Sequence, residues 1–158
     1  MFPPGNLMYA GLTSTFNDIC IFGKEGGAER DTYAQFLEEA GVLLSQPELT
    51  DAADKFRTSA EAWNDLAKTL LPDSVELFKE TRLLMLAKHN LFLEKGSSAL
   101  GEIRQINDQL EEIKFKVGED FPLNSGQSDE MKGSIAEKVL TIRDIEFNAI
   151  QDLQKAAG

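Results

Sequence analysis

Apolar residues return every three to four positions along almost the whole chain, and nowhere do they alternate at every second position. A half-buried strand requires that alternation, and no Asn-Gly or Asp-Gly turn joins two apolar runs. The periodicity therefore predicts an all-α chain, a bundle of about five or six helices joined by short loops.

The helices can be placed by their stripes and their breaks. Met8, Leu12, Phe16 and Ile19 predict a first helix over residues 7–22, ended by Gly23-Lys24-Glu25-Gly26-Gly27. Tyr33, Phe36, Leu37, Ala40, Leu43 and Leu44 predict a second over residues 28–44 with these side chains on its buried face. Pro47 stops that helix and suits the first turn of the next, whose stripe runs Leu49, Ala53, Phe56, Ala60, Trp63, Leu66 and Leu70. After Pro72, Asp73-Ser74-Val75-Glu76 resembles a capping box for a fourth helix. Between Leu83 and Leu93 that helix is apolar on more than one side, which predicts a central, well-covered position. Gly96-Ser97-Ser98 is expected to end it and cap the fifth, which carries Ile103, Ile106, Leu110, Ile113 and Val117. Residues 118–127 read as a loop. A last helix from about Ser128 carries Met131, Ile135, Val139, Ile142, Ala149 and Leu153, with Glu146 inside the stripe.

A length of 158 residues suits one helical domain, and 42% apolar residues supply a core without a disulfide or metal staple. The opening Met1-Phe2-Pro3-Pro4-Gly5 reads as linker, with residues 1–6 leading in, so the expected setting is a fragment of a larger protein. It lacks the basic and apolar regions of a signal peptide. A net charge of −11 repels phosphate backbones and anionic lipids, which argues against nucleic acid and membrane partners. With Cys20 as the one cysteine, no internal disulfide forms, and a reducing cytoplasmic setting is expected.

Chemistry has few places to sit. His89 is the lone histidine and no Glu-x-x-His pair precedes it, so no metal site and no cofactor are expected. Cys20 lies between Ile19 and Ile21 and reads as a small core hydrophobe rather than a nucleophile paired with His89. No catalytic residue is assigned. Gly26-Gly27-Ala28-Glu29-Arg30 is the exception in kind. Bare amides at a helix start bind anions, and Arg30 offers a bidentate grip, although the spacing is neither a P-loop nor a dinucleotide fingerprint. A plain helix-capping turn is the simpler reading of the same glycines. Either way Arg30 is expected to make a charge-assisted hydrogen bond, to Glu39 or Glu146 from within or to a ligand. Tyr33 and Phe36 read as core before they read as a stacking pair, and Trp63 as core or rim. Glu146 is expected at the edge of its stripe, since lone carboxylates are seldom fully buried. The candidate contact residues are thus Gly26, Gly27, Arg30, Tyr33, Glu39 and Glu146.

The run Gly26-Gly27-Ala28-Glu29-Arg30-Asp31-Thr32-Tyr33-Ala34-Gln35-Phe36-Leu37-Glu38-Glu39-Ala40 also resembles a GG-x-x-R-x-x-YA-x-FL-x-EA pattern. That pattern occurs in the family of proteins similar to butirosin biosynthesis protein H. Phe2-Pro3-Pro4-Gly5 with Tyr9 and Leu12, Trp63-x-x-Leu66-Ala67 and Leu70-Leu71-Pro72-Asp73 extend the likeness, which is specific over about residues 2–73. The later helices agree in character only. The resemblance implies a papain-like domain that moves an acyl group from a carrier protein to an aminoglycoside amine, followed by a helical domain of poorly defined role. This chain resembles the helical part, and no catalytic residue carries over. The expected role is accessory: completing a substrate pocket, docking to the papain-like domain or the carrier protein, or dimerising. A free-standing interaction or homo-oligomerisation module is the alternative, and a small enzyme using Arg30, Glu39 or Glu146 a third reading.

Overall fold

The computed structural model describes residues 5–23 and 27–156. Residues 1–4 of the linker-like opening and Gly26 fall outside them, while Asn6, expected in the linker, starts the first helix. Among the described residues there is no strand, and six α-helices follow in order: α1 Asn6–Asn17, α2 Arg30–Leu44, α3 Pro47–Leu70, α4 Glu76–Lys95, α5 Leu100–Glu119 and α6 Ser125–Ala156. The chain is all-α, as the periodicity requires. A π-helical turn, Asp18–Phe22, follows α1, and short 3-10 turns at Gly27–Glu29 and Gly96–Ala99 precede α2 and α5. The first helix is thus shorter than its stripe predicts, because the ladder widens at Asp18.

The helices form two compact units. One takes α1, α3 from Lys68, α4, α5 and α6 up to Lys132; the other takes Asp18–Ala67 and α6 from Gly133. In the first, Phe78 is fully buried and lies between Tyr9, with ring centroids 6.1 Å apart, and Phe121, at 6.0 Å. Met8, Leu12, Phe16, Ile113 and Val117 are buried in the same unit. The buried Tyr9 hydroxyl is partnered by Thr81 Oγ1 at 2.8 Å, whose own hydroxyl donates to the Leu77 carbonyl. Burial raises the Tyr9 phenol above its ordinary value, against the opposing hydrogen bond to Thr81.

Three expectations fail in this unit and a fourth holds in part. Asp73 makes no cap: α4 starts from Val75 without a side-chain hydrogen bond, and Asp73 pairs with Arg82 instead. Leu83, Phe92 and Leu93 are exposed, so α4 is covered on one side only. Gly96, at a positive φ of 54°, ends α4 as expected, but Ser98 Oγ donates back to the Lys95 carbonyl rather than capping α5. The loop is shorter than its composition suggests, because Asn124 and Gln127 cap each other reciprocally and start α6 at Ser125.

In the second unit, Ala34 and Leu37 of α2, Ala52, Ala53 and Phe56 of α3, and Ala149 of α6 form one buried cluster. Alanines at the crossings bring the three helices close. Each side chain buried there contributes on the order of 1–3 kcal/mol. Lys55 of α3 pairs with Asp152 of α6 at the edge of this core. The buried face of α2 is Ala34, Leu37 and Gly41, so of the six residues predicted to be covered only Leu37 is fully buried. Tyr33, Phe36, Leu43 and Leu44 are exposed.

Candidate functional site

The site grows from a reversal of handedness. Gly27, Ala28 and Glu29 have φ values of 65°, 49° and 64°, three successive left-handed residues before α2. For Ala28 and Glu29 this costs about 1–2 kcal/mol each. Two contacts hold the turn: Gly27 N–H donates to Asn64 Oδ1 at 2.8 Å, and Glu29 N–H to the Gly23 carbonyl at 3.0 Å. Gly27 is also needed for space, since a Cβ there would lie 2.8 Å from Ala60 Cβ. Strain of this kind gathers where the chain must aim a side chain.

The side chain aimed is Arg30. Its Nε donates to Glu146 Oε1 at 2.7 Å, its Nη1 to the Ala28 carbonyl at 2.9 Å and its Nη2 to Glu146 Oε2 at 3.4 Å. Ser59 Oγ at 2.8 Å and Trp63 Nε1 at 2.9 Å donate to the same Oε1. The Arg30 guanidinium also lies 5.8 Å from the Trp63 ring centre. Burial pushes the Glu146 carboxyl up, and the hydrogen bonds from Arg30, Trp63 and Ser59 outweigh it, so it sits below its ordinary value. Glu146 is half-buried and held by three side chains. Because Glu146 takes the Arg30 charge, an external anion has little left to bind.

Beside this pair opens a cleft of about 550 Å³. Tyr33 and Phe36 of α2 line one side, Glu146 and Ile150 of α6 the other, and the nearly buried Phe56 reaches it from α3. Tyr33 meets Phe56 edge to face at 4.8 Å and Phe36 roughly parallel at 6.2 Å, so the two exposed rings form a wall and not core. Glu29 and Arg30 close the end at the turn. Of the candidate residues, the structure brings Gly27, Arg30, Tyr33 and Glu146 together. Glu39 lies on an exposed part of α2 outside the cleft.

Sequence reasoning missed Ser59, Asn64, Phe56 and Ile150 as members of this site and underrated Trp63. Spacing held one signal: Phe56, Ser59 and Trp63 share a face of α3 at i, i+3 and i+7. Cys20 sits half-buried in the π-helical turn beside the buried Ile19, and His89 lies on α4 in the other unit. Among the described residues no group of three or more His, Cys, Asp or Glu side chains is placed to hold a metal ion. Among the same residues no helix is long and apolar enough to cross a membrane.

A family model described as a domain of unknown function, DUF4872, matches residues 22–114. That span holds the turn, Arg30, Ser59 and Trp63, and leaves Glu146 and Ile150 outside. No curated protein and no solved structure matches the chain. The family description names no activity and no partner. Since the match covers well over half of the chain, the protein belongs to the DUF4872 family of domains of unknown function.

Proposed function

We propose that the chain is an accessory helical domain that binds rather than catalyses, and that its α2–α6 cleft completes the substrate pocket of a papain-like acyltransferase domain. The observation that carries this reading is the Gly27–Glu29 turn. Left-handed strain is stored there to fix Arg30 on Glu146 at the end of an aromatic cleft. Glu146 is held ionised by its donors, which suits a fixed wall better than a proton shuttle. The partner domain comes from the resemblance to butirosin biosynthesis protein H-like proteins, in which a papain-like domain supplies the cysteine nucleophile.

The test uses thioester turnover with an S-acyl-N-acetylcysteamine donor. The chain alone is expected to be inert, and to raise the acyl-transfer rate of a papain-like domain of that family when added or joined to it. Ile150→Arg, which fills the cleft from an exposed position, should remove the gain while leaving the helical circular dichroism unchanged. Turnover by the chain alone that disappears in Cys20→Ala, or no effect on the papain-like domain, would overturn the reading. The second reading, a free-standing interaction module, rests on the large apolar residues that α2 leaves exposed.

A further inference from the structure

We infer that α2 carries a docking stripe for an amphipathic helix of a partner protein, apolar along its centre and edged with Lys or Arg. Phe36, Leu43 and Leu44 are 60%, 83% and 64% exposed, far more than residues of this size need to be on a helix that already has a buried face. Tyr33, Phe36, Ala40 and Leu43 stand at i, i+3, i+7 and i+10, one continuous line over three turns. A groove-seeking helix reads that spacing, and its own apolar residues at the same intervals would cover it.

The charges beside the line select the partner. Glu39 lies three positions after Phe36 and four before Leu43, so it abuts both. Glu29, in the left-handed turn before α2, stands at the other end, where it lines the cleft together with Tyr33. Neither carboxylate makes an ion pair among the described residues, whereas the nearby Glu38 is already taken by Arg57. Two bare acids along an apolar stripe favour basic residues opposite. A second copy of this chain is disfavoured on the same ground: a two-fold contact would set each stripe's acids against their own kind, in a chain of net charge −11. The stripe shares Tyr33, Phe36 and Glu29 with the cleft and runs on past it. Leu43 and Glu39 lie outside the cleft, so either proposal can fail while the other stands.

The probe is a fluorescein-labelled Leu/Lys amphipathic peptide, with a Leu/Glu peptide of the same apolar face for comparison, read by anisotropy at low and high salt. The Leu/Lys peptide should bind the whole chain and weaken as salt rises, and the Leu/Glu peptide should not bind. Leu43→Ser should weaken binding about tenfold, and Glu39→Gln a few-fold, mainly at low salt. Leu93→Ser, at another exposed leucine, on α4, should leave affinity unchanged. The proposal is overturned if Leu43→Ser binds as the parent does or if Leu93→Ser loses as much. It is also overturned if sedimentation finds a dimer that Leu43→Ser dissociates, which would make the occupant a second copy.

Discussion

Arg30 Nε donates to Glu146 Oε1 at 2.7 Å across 116 positions of sequence, and that one oxygen also accepts from Ser59 and Trp63. Ser59 is fully buried, so its hydroxyl has no water to turn to if the carboxylate leaves. Glu146→Ala should therefore destabilise the chain by about 2–4 kcal/mol, the range for stranding several donors at once. Arg30→Ala should cost about 1 kcal/mol, because a third of that side chain is exposed and the other two donors still hold the carboxylate. Urea unfolding of both single variants and the double variant measures the coupling. A Glu146→Ala change within 0.5 kcal/mol of the parent, on the scale of ordinary surface substitutions, would show that the network holds nothing.

Acid should weaken the fold through the same group. The folded-state pKa of Glu146 is lowered, so its contribution is complete above the unfolded value near ~4.3 and is lost as pH falls through the folded value. Asp152, lowered by hydrogen bonds from Lys55 and Lys155, and Glu38, lowered by Arg57, act in the same direction. At the other end Tyr9 is raised by burial, so its contribution is complete below about 10 and is lost as pH rises beyond that. Urea midpoints should be flat between those limits as far as these groups are concerned. Glu146→Gln should flatten part of the acid limb, and an unchanged acid limb in that variant would remove Glu146 from the account.

Opposite outcomes are expected one residue apart in the left-handed turn. Gly27→Ala places a Cβ 2.8 Å from Ala60 Cβ on a backbone of φ 65°, and should cost about 2–4 kcal/mol. Ala28→Gly relieves a left-handed alanine and should stabilise by about 0.5 kcal/mol after the entropy of the added glycine is counted. Thermal unfolding of the pair decides it. If both destabilise, the turn is not strained in the sense described.

Phe78→Ala should cost about 3–5 kcal/mol, because it empties a site shared with Tyr9 and Phe121. Leu93→Ser on the exposed end of α4 should stay within about 0.5 kcal/mol of the parent. Parallel denaturant titrations compare them. Equal costs would mean that α4 is covered on both sides after all.

The sequence stripes foretold the helices, and Pro47 marked a boundary to the residue, because period and proline act locally. Which face of α2 is buried was not legible. Tyr33, Phe36 and Leu43 outweigh Ala34 and Gly41 in any tally of hydrophobicity, yet it is Ala34, with Leu37, that packs in the cluster with Ala52, Ala53, Phe56 and Ala149. Asp73 carries the composition of a cap but finds Arg82 instead, a choice made by α4's packing. At the site, Arg30 and Glu146 were each legible as odd residues in their settings. Their pairing depends on contacts across 116 positions, and the left-handed backbone at Ala28 and Glu29 has no signature in those residue types.

The bonds on Glu146 Oε1 also index α6 against rotation. Each residue inserted between Gly133 and Glu146 would swing the carboxylate about 100° around the helix axis, away from Arg30, Ser59 and Trp63. Length changes in that stretch are thereby restricted to steps that restore the phase, about three, four or seven residues together.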